Sequence, residues 1–297
     1  MFELDASDQS AAIRDEVAHY LTTGEHDANN WREYPGRSAM EKISAQASAL
    51  RDALIRRVRE LQTGCTAPVQ APDDCASRSY LERKLAPMTN GIFAPEDQAV
   101  VLKTLVDSIT FLTREEVDRV LRTSGWLSTN WDVARIWLDS IGAEPLSPDA
   151  DGLLGLSENL RCYVSLNYFE DLENDPFADY VVHEAAHLLH NNKRRYLGLI
   201  ERGRSEWLLD IDFRKRELFA YGCEFWSRIS TAATDRRARM ALIAELGSRL
   251  PNFEDEFDPE EMRELLTKAA RARNGWRSIA RVCKPAPRRA RSIQDTR

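Results

Sequence analysis

The sequence predicts an α+β fold that is predominantly helical and contains a small β-sheet. Apolar residues such as Leu50, Leu54 and Val58 recur at three- and four-residue steps in much of the chain, which is the spacing of one helix face. Residues 161 to 168 instead alternate and carry β-forming residue types, which indicates the clearest strand. Hydrophobic residues make up 43% of 297, enough for a packed core.

Composition excludes several classes of function. The formal net charge of -7 provides no basic field, so we expect no nucleic-acid partner. No apolar run approaches the roughly 18 residues that span a bilayer, so we expect no membrane segment. The start lacks the features of a signal peptide, and the five cysteines form no CxxC pair. We therefore expect a cytoplasmic protein with reduced thiols.

The N-terminal part reads as helical over residues 10 to 23 and 37 to 62. A break from 63 to 77 contains Gly64, Pro68 and Pro72, and both Cys65 and Cys75 lie in it. These features predict an N-terminal helical region at 1–77 and a main domain at 78–283. The segment 284–297 contains two prolines and several arginines, which predicts a basic, disordered tail.

The main domain is predicted to be built mostly of helices around the strand at 161 to 168. Thr113 and Glu116 have the spacing of a capping box, and Pro95 suits the first turn of a helix. Asp175 and Pro176 suggest a further helix start. The predicted helices span 95 to 111, 113 to 123, 130 to 141, 176 to 191, 205 to 231, 235 to 249 and 258 to 281.

The chemistry of the sequence concentrates in the run His183-Glu184-Ala185-Ala186-His187. On a helix, residues four apart share a face, so His183 and His187 can direct two imidazoles at one zinc ion. Glu184 lies about 100° round the helix, where it reaches a water molecule without binding the metal. The run therefore predicts a zinc centre with Glu184 as general base.

A catalytic zinc site needs a third protein ligand. His190 shares the helix face but lies about 10 Å along the axis from His183, too far for the same ion. His190 is therefore predicted to lie in the outer shell of the metal or on the substrate side. Glu217 is the better ligand because a small residue, Ala220, follows it one turn later. The rival ligands are Glu224, Asp210 and Asp212.

The motif HEAAH, followed by Glu217-Leu-Phe-Ala220 on a second helix, resembles the gluzincin branch of the zincin metallopeptidases. The resemblance covers only these two stretches, within residues 160 to 230. It implies a zincin-like active-site helix packed beside a small β-sheet, with Glu217 as the third ligand. It also implies that 162 to 167 form the sheet edge, although an inner strand is an equal alternative.

The resemblance implies a zinc metallopeptidase that acts on a protein or peptide substrate. Tyr221, Tyr196 or His190 can assist as a second electrophile, and Tyr221 is preferred because it shares the face of Glu217. Asp179, one turn before His183, either orients a ligand histidine or is a first-turn acid that the helix dipole favours. Two alternatives stay open: a non-catalytic interaction protein that keeps a zincin-like fold, and a zinc hydrolase of a non-peptide amide.

Overall fold

The computed structural model of the protein describes residues 11–65, 78–148, 154–158, 160–200 and 206–286. Most of these residues are helical and three short strands form one sheet among them, which confirms a predominantly helical α+β architecture. The helices are α1 (Ala11–Thr23), α2 (Ala39–Leu61), α3 (Arg78–Ile92), α4 (Pro95–Ser108), α5 (Arg114–Thr123), α6 (Leu127–Ser140), α7 (Tyr168–Asn174), α8 (Tyr180–Asn191), α9 (Arg216–Ala232), α10 (Arg236–Gly247), α11 (Pro259–Arg271) and α12 (Gly275–Val282). The strands are β1 (Ile109–Phe111), β2 (Gly155–Glu158) and β3 (Arg161–Val164).

The chain divides into two compact units. Unit 1 is drawn from Met1–Ala76 and Ile109–Glu173, and unit 2 from Ser77–Ser108 and Asn174–Arg297. The sequence predicts a first boundary at the same place. It assigns 78–283 to one domain, however, whereas residues 109–173 group with the N-terminal helices.

A shared hydrophobic core explains why unit 1 joins two separate stretches of the chain. Leu54 of α2, Val120 of α5 and Trp137 of α6 are almost fully buried in one apolar cluster. Tyr163 of β3 belongs to the same cluster. Because these side chains exclude water only by packing against one another, the segments that carry them form one unit despite their separation in sequence.

The sheet of unit 1 has the strand order β1-β3-β2. β1 pairs with β3 in parallel, and β2 pairs with β3 in antiparallel orientation. β3 is therefore the central strand, and the expectation that 162 to 167 form a free edge is wrong. β1 occupies residues predicted as the end of a helix, since three residues are too few to show a strand period.

Unit 2 contains the histidine motif on α8, which packs against α9. Several helix bounds in this unit differ from the sequence prediction. α3 was not predicted, α9 begins at Arg216 rather than at 205, and 258 to 281 form two helices. The last two separate where Asn274 caps α12 and Gly275 lies against Trp226, so closely that a Cβ would be 2.2 Å from the indole ring.

α8 begins at Tyr180, four residues after the predicted start. Asp175 does not cap the helix, because its carboxylate accepts a hydrogen bond from the backbone N–H of Phe177. The main-chain carbonyl of Asp179 instead accepts the first helical hydrogen bonds, from Val182 and His183. The Asp179 side chain is directed to other partners.

Some predictions fall outside the residues that the structure describes. These are the state of Cys75 and the disorder of 287–297. Cys65, Cys162, Cys223 and Cys283 are free thiols. No helix of the described ranges combines the length and the apolar character that crossing a membrane requires. The sheet belongs to unit 1 and α8 to unit 2, and the packing of one beside the other stays a prediction.

Candidate metal centre

The helix α8 is amphipathic, with one buried side and an opposite side that carries the histidines. Val181, Ala185, Leu188 and Leu189 are at most 2% exposed and anchor one side of the helix. The side chains of His183 and His187 are 13% and 14% exposed, so they are accessible from the other side. The buried face therefore fixes the backbone from which the two imidazoles project.

Three metal-binding side chains converge between α8 and α9. The Nε2 atoms of His183 and His187 lie 3.0 Å apart. The Oε2 atom of Glu217 is 3.5 Å from the Nε2 atom of His187 and 3.9 Å from that of His183. Within the described residues, this is the group of histidine, cysteine and carboxylate side chains arranged to hold one ion. The structure thus brings Glu217 to both histidines.

The remaining ring nitrogen of His183 is held by Glu224. Its Nδ1 atom lies 2.9 Å from the Oε2 atom of Glu224, whose side chain is 3% exposed. A carboxylate only accepts hydrogen bonds, so the Nδ1 atom carries the proton and, in the neutral ring, the Nε2 atom presents its lone pair. Burial lowers the pKa of His183, but the hydrogen bond and the charge of Glu224 have the larger combined effect. Together they raise the pKa of His183 to about 9.

His187 is oriented by a different chain of contacts. Its Nδ1 atom lies 3.0 Å from the Nε2 atom of His190, and the Nδ1 atom of His190 lies 3.1 Å from the amide oxygen of Asn191. Asn191 therefore assigns the proton of His190 to Nδ1, and His190 accepts a hydrogen bond from Nδ1 of His187. Burial, followed by the charges of His187 and Arg216, lowers the pKa of His190 to about 3. His190 is thus a neutral residue behind a ligand, as the axial geometry of the helix predicts.

This donor set fits a zinc ion. Hydrogen bonds through Nε2 protons link the two imidazoles and the Glu217 carboxylate, and a zinc ion would replace those protons, leaving both imidazole lone pairs and one carboxylate oxygen as ligands. Tetrahedral zinc with bonds of about 2.0 to 2.1 Å separates its ligand atoms by roughly 3.4 Å. The three observed separations of 3.0, 3.5 and 3.9 Å bracket that value. Burial raises the pKa of Glu217, but the hydrogen bond to His187 and the nearby histidines outweigh it, so the pKa is lowered and the carboxylate is charged.

A buried ionic network lies behind Glu224. The backbone N–H of Asp179 donates to the Oε1 atom of Glu224 at 2.8 Å. The Asp179 carboxylate is 0% exposed and contacts the Lys84 ammonium and the Ser227 hydroxyl, each at 2.7 Å. The Asp179 side chain thus pairs with Lys84 and Ser227, and its backbone N–H binds Glu224. Glu224 in turn holds His183, so the backbone of Asp179 supports this histidine through Glu224.

Two residues predicted to be catalytic lie at the same centre. Glu184 is 8% exposed, and its charge is among the causes that raise the pKa of His183. The ring of Tyr221 packs edge-on against the His183 imidazole, with centroids 4.4 Å apart. Burial, followed by the charge of Glu224 and other carboxylates, raises the pKa of Tyr221, so its hydroxyl remains protonated.

The other candidates named from the sequence lie outside the cluster. Asp210 and Asp212 do not join the three ligands, and Asp212 instead caps a short 3-10 turn. Tyr196 is 60% exposed and stacks against Arg195. Glu224, considered only as a rival ligand, holds a ligand histidine from behind.

Lys84 and Ser227 were missed by sequence reasoning. Ser227 lies three residues after Glu224 on α9, a helical spacing that points to one face. Lys84 gives no comparable signal, because it lies on α3, about a hundred residues before the motif. Comparison with protein-family models, curated proteins and solved structures gave no match. The geometry of the centre alone therefore supports the function proposed next.

Proposed function

We propose that the protein is a zinc-dependent metallopeptidase in which His183, His187 and Glu217 hold the metal. The observation that carries the proposal is the convergence of the Nε2 atoms of His183 and His187 with the Glu217 carboxylate, while the other ring nitrogen of each histidine is held by Glu224 or His190. This arrangement has the composition of a catalytic site, because three protein ligands leave the fourth position of a tetrahedral zinc ion for a water molecule. A structural zinc site would use four protein ligands.

Each residue has a defined task in peptide hydrolysis. When bound, zinc supplies Lewis acidity that acidifies a water molecule and polarises the substrate carbonyl. Glu184 accepts the proton of the attacking water and delivers it to the departing amine. Glu184 directly follows His183 and is buried, which suits this proton transfer because few waters compete with it.

Tyr221 is proposed to stabilise the developing oxyanion. A phenol that stays protonated donates a hydrogen bond, and the raised pKa of Tyr221 keeps this donor available at neutral pH. Its edge-on packing against His183 restrains the ring beside the centre. Replacement of Tyr221 by Phe is therefore expected to lower the cleavage rate while zinc remains bound.

The test compares wild-type protein with Glu184→Gln. Both are purified without chelator, their zinc content is measured, and their cleavage of a proteome-derived peptide library is followed by mass spectrometry. Glu245→Gln is the matched control, because Glu245 is exposed on α10. We expect one equivalent of zinc in all three proteins and cleavage by the wild type and the control alone.

Three results would contradict the proposal in different ways. Wild-type protein that binds no zinc would favour a non-catalytic protein that keeps the histidine motif. Zinc-loaded Glu184→Gln that cleaves as fast as the wild type would refute the role of Glu184 as the base. Zinc-loaded wild type that cleaves no peptide would leave the hydrolysis of a non-peptide amide as the alternative.

A further inference from the structure

We propose that Arg216 binds a carboxylate of the substrate beside the candidate metal centre, an inference that rests on the proposed peptidase function. It assigns a substrate class, namely peptides with a carboxylate close to the bond that is cleaved. The carboxylate belongs either to an acidic side chain or to the C-terminus of the peptide, and the experiment below distinguishes the two.

The first observation is the incomplete pairing of the Arg216 guanidinium. The side chain is half-buried and stacks on the ring of Phe213, with 4.9 Å from Cζ to the ring centroid. The Nε atom is fully buried and has no hydrogen-bond partner. Across the described ranges, Arg216 forms neither a side-chain hydrogen bond nor an ion pair. The terminal nitrogens of the guanidinium are not among the buried atoms, and a half-buried cation without an acceptor favours an incoming anion there.

Nearby cations in the connection between α8 and α9 differ from Arg216. Lys193 pairs with Glu206 at 2.8 Å, and Lys215 with Glu261 at 2.5 Å. Arg194 is buried against Asp97, also at 2.8 Å. These three charges are neutralised within the protein. Arg216, directly after this connection, is half-buried, and the described residues supply no carboxylate for it.

The second observation is the position of Arg216. It is the first residue of α9 and directly precedes Glu217, one of the three candidate ligands. Arg216 therefore begins the helix end that carries the candidate ligand Glu217.

The chemistry of the residue specifies the ligand. A guanidinium presents a planar fork of N–H donors that matches the two oxygens of a carboxylate. Stacking on Phe213 holds the plane of this fork. The N-terminus of the 17-residue helix α9 lacks a side-chain cap, so its dipole adds to the attraction for an anion.

The test separates binding from cleavage by using the full chain with Glu184→Gln, loaded with zinc. A library of randomised short peptides is prepared with free or amidated C-termini, and with Glu or Gln at internal positions. Capture of each form is measured by mass spectrometry for this parent and for the added variants Arg216→Gln, Arg216→Lys and Arg214→Gln. Arg214 is the matched control, because it is an exposed arginine two residues away.

We expect the parent and Arg214→Gln to capture one carboxylate form over its neutral counterpart by roughly tenfold to a hundredfold, the range of a charge-assisted hydrogen bond. Arg216→Gln should lose this preference while keeping its zinc, and Arg216→Lys should recover part of it. The preferred form, side-chain acid or C-terminal acid, identifies the source of the carboxylate.

Three results would overturn the assignment: no capture of any form, equal capture of acid and neutral forms, or a preference that survives in Arg216→Gln. Failure of the proposed function has a different signature. In that case the wild type cleaves no peptide of the library, whereas the Arg216-dependent preference in capture remains.

Discussion

Glu224→Gln tests whether the residues behind the ligands determine metal affinity. Two donors face the Glu224 carboxylate: the backbone N–H of Asp179 on Oε1 and the Nδ1–H of His183 on Oε2. Glutamine has nearly the same shape but only one oxygen. Whichever way its amide is turned, one donor meets an NH₂ group. If that donor is on His183, the ring must move its proton to Nε2 and loses the lone pair that binds metal.

The expected loss of zinc affinity follows from this mismatch. Loss of an outer-shell partner of a ligand histidine typically lowers metal affinity by about 10- to 100-fold, or about 1.4 to 2.7 kcal/mol. Because Glu224 is 3% exposed, water does not replace the lost acceptor, and we expect an effect toward the upper end. The three ligand residues themselves remain unchanged.

The assay is zinc competition against a chromophoric chelator at neutral pH, with the fold monitored by circular dichroism. Glu245→Gln, an exposed glutamate of α10, is the control and should bind zinc as the wild type does. A folded Glu224→Gln protein with the same zinc affinity as this control would refute the role of Glu224. It would also contradict the tautomer assigned to His183.

Three further predictions concern stability. Lys84→Met should lower the free energy of unfolding in urea by about 3 to 5 kcal/mol, because the buried Asp179 carboxylate then lacks the Lys84 ammonium. Adding Asp179→Asn to this variant should restore part of the lost stability. An unchanged unfolding midpoint would show that Asp179 is not held as a buried charge. Gly275→Ala should cost about 1 to 3 kcal/mol, because the new Cβ meets Trp226 at 2.2 Å, whereas Gly247→Ala, with open space around it, should not destabilise. Finally, zinc at a hundred times its Kd should stabilise the protein by about 2.7 kcal/mol, and a chelator should remove this gain in Tm; a Tm insensitive to zinc would argue against a site in the folded state.

Local patterns predicted the features of this protein that depend on neighbouring residues in the chain. Helix α2 lies where its apolar spacing places it, and α5 begins after Thr113 as the capping box indicates. The same logic applies to the centre. His183 and His187 share a face because they are four residues apart, and His190 lies behind His187 because it is three residues further along.

Bounds that depend on packing could not be predicted in this way. The break between α11 and α12 depends on Gly275 meeting Trp226, which lies on another helix. β1 is defined by its pairing with β3, some fifty residues away, rather than by any alternation of its own. The position of β3 at the centre of the sheet depends on the same pairing, which is why an edge strand was a wrong prediction.

The sequence by itself determined which residues can bind a metal and which carboxylate lies beside them, because helix geometry relates residues three and four apart. Only the tertiary structure decided that Glu217 reaches both histidines and that Glu224 holds His183. It alone placed Lys84 against Asp179, and left Arg216 without a carboxylate among the described residues. These relations join different helices, and the distance between helices is set by packing of the core, which no local period encodes.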